Sequence, residues 1–80
     1  MIVMLFKCEY HRIKEKLKYL DRPSVLEICK QAGVSDYEER LIISVHEDRT
    51  RIEMCFELSI SQGKYTHDLK KAISKLIKYI

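Results

Sequence analysis

The feature that most constrains this chain is Ser61 and the run of residues that follows it. A serine hydroxyl ahead of an amphipathic run accepts hydrogen bonds from the backbone N–H groups that the first turn of a helix leaves unpaired. Ile60 before it and Tyr65 after it are spaced to close over that turn as a hydrophobic staple. Tyr65, Leu69, Ala72, Ile73, Leu76, Ile77 and Ile80 then recur at the intervals that make a single apolar stripe on an α-helix. Lys64, His67, Asp68, Lys71, Lys75 and Lys78 fall on the other face. The spacing therefore predicts a helix over 62–79 that is dry on one side and mostly cationic on the other.

The residues upstream give this helix a companion. Thr50 followed by Glu53 is a capping box, which predicts a helix over 50–58. Only Ser59, Ile60 and Ser61 separate the two, a connection of helix-turn-helix length. The stretch from Ile52 through Glu53, Met54, Cys55, Phe56, Glu57, Leu58, Ser59, Ile60, Ser61, Gln62, Gly63 and Lys64 to Tyr65 carries a resemblance, continued by Leu69, Lys71, Ala72, Ile73, Lys75 and Leu76. It resembles the helix-turn-helix of bacterial sigma-70 region 4 and the related small late-gene activators of temperate phages. The similarity covers about 35–80.

The resemblance implies a division of roles. Met54, Leu58, Ile60, Tyr65, Leu69, Ala72, Ile73 and Leu76 would be packing residues, and Cys55 would hold the small helix-contact position. Gln62, Lys64, Thr66, His67, Asp68, Lys70 and Lys71 would face the groove. Ser59 stands where the family usually has its turn glycine, the residue that adopts a left-handed backbone without strain. Ile52 and Phe56 stand where the family is usually polar, and the expectation is that the first helix covers them as core.

Composition sharpens the reading. Eighty residues with two glycines and one proline make one all-α domain, whose folding buries about 60% of the unfolded surface. Fifteen basic and twelve acidic residues give a net charge of only +3. The distribution says more: residues 1–34 carry 7 basic and 4 acidic, 35–58 carry 3 and 7, and 59–80 carry 5 and 1. Positive charge is concentrated where a nucleic-acid reader needs it. Cys8, Cys29 and Cys55 have no zinc or redox spacing, which points to reduced, buried thiols in a cytoplasmic protein. The apolar opening at 1–6 is too short for a membrane span or signal core and reads as core.

Taken in order, Val3, Phe6, Tyr10, Ile13, Leu17 and Leu20 predict a first helix over 3–20 that packs within the chain. Pro23 stops it, Ser24 and Glu27 form a capping box for a helix over 24–32, and Gly33 ends that helix. Ser35 and Glu38 start a helix over 36–47. The expected architecture is a single-domain five-helix bundle. Residues 1–34 are a helical addition, and 35–80 form a trihelical helix-turn-helix unit like that of sigma region 4.

No catalytic grouping is legible, so the chain is read as no enzyme, with neither cofactor nor metal. His11, His46 and His67 are scattered, and His46 is placed to complement a helix dipole. The function expected is sequence-specific DNA binding in transcription regulation, with the helix after Ser61 in the major groove. Gln62, Lys64, Thr66, His67 and Asp68 would lie at base edges, and Lys70, Lys71, Arg49, Thr50 and Arg51 at phosphates. Double-stranded DNA is the expected partner, with RNA polymerase, another protein or a second copy beside it and no membrane. The alternative is a protein-binding module or phage-encoded inhibitor on the same scaffold, with Ile52 and Phe56 as its contact.

Overall fold

The computed structural model describes residues 7–80. The apolar opening, including Val3 and Phe6, lies outside the described residues, as do the side chains of Lys7 and Cys8. Five α-helices follow in order: α1 (Lys7–Tyr19), α2 (Arg22–Ala32), α3 (Asp36–His46), α4 (Arg51–Leu58) and α5 (Gln62–Ser74). A short 3-10 turn, Ile77–Tyr79, closes the chain, and the described residues contain no strand.

Three helix starts are built as the capping signals predict. The Ser35 hydroxyl accepts from the Glu38 N–H while the Glu38 carboxylate accepts from the Ser35 N–H. Thr50 and Glu53 repeat the arrangement. The Ser61 hydroxyl accepts from the Lys64 N–H at 3.1 Å. The start of α2 differs from expectation. Asp21, not Ser24, precedes the helix, and Pro23 sits in its first turn, where no backbone N–H is required. The Ser24 hydroxyl donates to the Asp21 carboxylate at 2.6 Å, so the expected Ser24–Glu27 box does not form.

Three of the five helix ends share one device. Gly33, Asp48 and Ser59 all take positive φ, at 69°, 56° and 56°. After α3 the Arg49 N–H returns to the Ser44 carbonyl and the Asp48 N–H to the Val45 carbonyl, the Schellman arrangement that satisfies carbonyls left over at a helix end. After α4 the Ile60 N–H bonds the Cys55 carbonyl across Ser59. The connection from α4 to α5 is thus sharp, with a non-glycine residue bearing the left-handed geometry.

The long last helix is shorter than its apolar stripe predicts. It ends at Ser74, where the Lys75 and Leu76 N–H groups bond to carbonyls three residues back. Leu76 is fully buried, and Ile77 and Ile80 pack against the core. The 3-10 turn lies on α2, so the tail leaves the α5 axis to cover that helix.

α3 is the centre of the packing. It contacts α5, α1 and α2, and Leu41, Ile42, Ser44 and Val45 on it are buried. Ile13 and Leu17 from α1, Val25 and Cys29 from α2, Met54 from α4 and Tyr65, Leu69, Ala72 and Ile73 from α5 close round it. Burial pushes the Cys29 thiol up to about 11, so it stays protonated. His46 reaches across to the Leu17 carbonyl at 2.8 Å, which fastens α3 to α1 in addition to any dipole effect.

One expectation about this packing is overturned. α1 docks on α3 and α5 rather than along α4, and Ile52 and Phe56 are left 63% and 87% exposed. Met54, by contrast, turns inward and is buried.

Left-handed backbone costs an L-residue roughly 1–2 kcal/mol, part of which glycine's greater unfolded-state freedom returns. Ser59→Gly is therefore expected to stabilise the protein by about 0.5–1 kcal/mol, raising the thermal midpoint by a few degrees. An unchanged or lowered midpoint would contradict a left-handed Ser59.

Candidate nucleic-acid interface

The surface in question is the outward side of α5, and two hydroxyl groups hold it in place from behind. Tyr65 is buried, and its hydroxyl lies 3.0 Å from the Ser44 hydroxyl. Ser44 has one proton and donates it to the Leu41 carbonyl, so Tyr65 must be the donor to Ser44. On the flank, the Tyr37 hydroxyl donates to the Asp68 carboxylate at 2.7 Å. Both bonds join the first half of α5 to α3.

The predicted site residues divide by what they touch. Gln62, Lys64, His67, Lys70 and Lys71 are exposed, and Thr66 is partly so. Lys64 leans back onto Asp68 at 3.0 Å and lies 5.9 Å from the Tyr37 ring. Asp68 is turned toward α3, held by Tyr37 and Lys64. The Tyr37 hydrogen bond, then that from Lys64, keeps its carboxyl below the usual range against the opposing effect of burial. Burial, the bond to Asp68 and the charge of Asp68 push the Tyr37 hydroxyl up to about 12, so it remains a donor.

The residues before α4 are less uniform than the sequence implies. Arg49 is drawn onto Glu57 at 2.6 Å and stands 3.9 Å from Glu53, which commits its guanidinium to carboxylates. Thr50 spends its hydroxyl on the cap. Arg51 points instead toward α5, with its guanidinium 3.5 Å from the Thr66 hydroxyl. Lys75, on the cationic face in the sequence, is paired with Glu38 at 2.8 Å.

Two residues important to this surface escape sequence reasoning. Tyr10 and Lys14 lie on α1, and the Lys14 ammonium sits 5.1 Å from the Tyr10 ring centroid while Lys70 approaches the same ring at 5.9 Å. The four-residue interval between Tyr10 and Lys14 is a readable signal of a helical pair. The approach of Lys70 is tertiary and carries none.

The exposed strip of α5 thus has two unlike borders. Toward α1 and α4 it meets a cleft lined by Lys14, Arg51 and Asp48, whereas toward α3 it meets Tyr37, with Asp68 and Glu38 paired to Lys64 and Lys75. Among the described residues no three His, Cys, Asp or Glu side chains gather as a metal site, and no helix is long and apolar enough to cross a membrane. Comparison with known proteins finds no matching family model, no matching curated protein and no matching solved structure, so the site is read from this chain alone.

Asp68 supplies a pH test. A carboxyl held below its usual range stabilises the fold fully above that range, and the contribution fades as pH falls through the depressed value. Tyr37→Phe should therefore cost about 1 kcal/mol near neutral pH, with the deficit shrinking in acid once Asp68 is protonated in both proteins. Denaturant titrations across the acid range, with NMR titration of the Asp68 carboxyl, would detect this. A deficit independent of pH would rule out the proposed coupling.

Proposed function

We propose that this chain is a sequence-specific DNA-binding protein that regulates transcription, with α3, α4 and α5 as a helix-turn-helix unit and α5 lying in the major groove. The observation that carries the reading is the pairing of a tight α4–α5 turn with an α5 whose Tyr65, Leu69, Ala72 and Ile73 are buried. Gln62, Lys64, His67, Lys70 and Lys71 then stay on the solvent side. In such an arrangement the first turns of the second helix meet base edges, and flanking cations meet phosphates.

The packing supports a refined assignment of roles. Gln62, Thr66 and His67 are the base-edge candidates, and Lys64 joins them when it exchanges its Asp68 contact for the duplex. Asp68 serves α3 through Tyr37, which accounts for an acid in a helix meant to approach phosphates. Lys70, Lys71 and Arg51 are the phosphate candidates, whereas Arg49 is occupied by Glu57 and Glu53. A reader with so few cations binds modestly as a single unit, so dimerisation or contact with RNA polymerase accompanies this function.

The test is an anisotropy titration on a duplex chosen by in-vitro selection and on its scrambled counterpart. Lys71→Ala should weaken binding on both by a similar factor and lower the salt slope by about one. Lys64→Ala should weaken binding and change the preference between the two. Unchanged affinity in both variants would refute the placement of α5 in the groove.

A second reading is favoured by the exposure of Ile52 and Phe56. A large aromatic beside an isoleucine on a helix surface marks a protein-contact surface. Two side chains supply only the anchor of such an interface, since a stable one buries about 800 Å² per partner. Ile52→Ser combined with Phe56→Ser is expected to leave the fold and DNA affinity intact while abolishing self-association in sedimentation or retention of RNA polymerase. Preserved association of both kinds would remove this surface from consideration.

A further inference from the structure

Tyr10 on α1 is where cations from separate helices converge. Lys14 reaches its ring from the next turn of α1, at 5.1 Å, and Lys70 reaches it from α5, at 5.9 Å. Both distances lie within the range in which an aromatic face attracts an ammonium group. Arg51, the first residue of α4, stands at the same junction, hydrogen-bonded to Thr66 one turn before Lys70. A cleft of about 260 Å³ opens between these helices, with Tyr10, Lys14 and Arg51 in its walls.

The cluster has no direct carboxylate partner among the described residues, although Asp48 lines the same cleft. Among the described residues, Lys14, Arg51 and Lys70 form no ion pair with a carboxylate, while Lys18, Lys64, Lys75, Arg22 and Arg49 each do. Glu15 and Asp48, the acids whose charge is felt at Lys14, both lie against Lys18, at 3.6 and 3.4 Å. Burial and the charges of Lys18 and Arg51 together push the Lys14 ammonium below its usual range. A tyrosine ring holds ammonium groups in place without neutralising them, so the mutual repulsion of these cations stays available for an outside anion to relieve.

The cluster lies on the α1 and α4 border of the exposed α5 strip, whereas on the opposite border Lys64 and Lys75 are paired with Asp68 and Glu38. A polyanion along α5 therefore meets cations without carboxylate partners among the described residues on this side, whereas Lys64 and Lys75 on the other are engaged by carboxylates. We infer that Lys14, Arg51 and Lys70 form a seat for one backbone phosphodiester of duplex DNA, with Tyr10 as the platform that orients two of the three cations. The inference rests on α5 being the groove reader, and it makes α1 part of the DNA interface.

The experiment compares Lys14→Gln with Lys16→Gln in the full chain. Lys16 is exposed on the same helix and carries the same charge, so net charge changes equally. Duplex affinity is measured by anisotropy over a range of salt, with circular dichroism verifying the fold. One phosphate contact contributes about 0.9 to the salt slope, or roughly eightfold in affinity at 0.1 M salt. Lys14→Gln should show that loss, Lys14→Arg should restore most of it, and Lys16→Gln should lie near the unaltered protein.

Lys14→Gln and Lys16→Gln behaving alike, with Lys71→Ala still losing affinity, would overturn the phosphate seat and leave the groove reading standing. Failure of the unaltered protein to bind any duplex would overturn both. A loss in Lys14→Gln that Lys14→Arg does not restore would overturn the assignment of a charge contact.

Discussion

The hydrogen bond from Tyr65 to Ser44 is the contact on which the arrangement of this surface depends. It is buried, and a buried hydroxyl without a partner costs about 1–3 kcal/mol, so it constrains where Tyr65 can sit. Because Ser44 spends its own proton on the Leu41 carbonyl, its oxygen is an acceptor fixed in direction by α3. Tyr65 lies in the first full turn of α5, immediately behind Lys64 and Thr66. Apolar packing through Leu69, Ala72 and Ile73 could accommodate some sliding or rotation of α5. The Ser44–Tyr65 bond, reinforced by Tyr37 and Asp68 on the flank, fixes which side of the helix faces solvent.

Pairing of charges then determines which cations that surface can offer. The acidic middle of the chain takes up Arg49 through Glu57 and Glu53, Lys75 through Glu38, and Arg22 through Glu47. Most of these pairs are partly exposed, and exposed pairs contribute about 0–1 kcal/mol each, so their weight in stability is small. Their effect on the surface is larger. They remove several positive groups from competition, so that beside α5 the cations without carboxylate partners among the described residues include Arg51, Lys70, Lys71 and Lys14. A net charge of +3 conceals this selection, because it counts a paired and an unpaired lysine alike.

What could be read from the sequence was governed by local physics. Ser35, Thr50 and Ser61 begin helices because a short hydroxyl side chain accepts from a backbone N–H only a few residues away, and such relations are visible in spacing. Gly33 followed the same logic, whereas a left-handed turn at Ser59 was implied only by the resemblance, which places the family's turn glycine there. Ser24 misled because Pro23, just before it, is well suited to a first helical turn and lets Asp21 take the outer position. The sequence overestimates the end of α5 because Ile77 and Ile80 continue its apolar stripe, although both pack against the core from a tail whose 3-10 turn lies on α2. The cover expected for Ile52 and Phe56 was a tertiary question. Nothing in the periodicity of α1 specifies which neighbours its apolar face will choose.

That choice links the two candidate surfaces. By packing on α3 and α5, α1 carries Tyr10 and Lys14 to the side of Lys70 and simultaneously leaves α4 uncovered on its outer face. An eight-residue helix can present several directions at once: Met54 enters the core, Arg51 faces α5, and Ile52 and Phe56 face solvent. In a chain this small there is too little surface to shield every apolar residue, but an 87% exposed phenylalanine in the middle of a well-capped helix exceeds what that scarcity requires. Because Arg51 and Phe56 leave α4 in different directions, a duplex seated against Arg51 and a protein seated on Phe56 would occupy separate sides of the helix. The proposed DNA-binding surface and the proposed protein-contact surface are therefore compatible with one packing solution, because neither would occlude the other on α4.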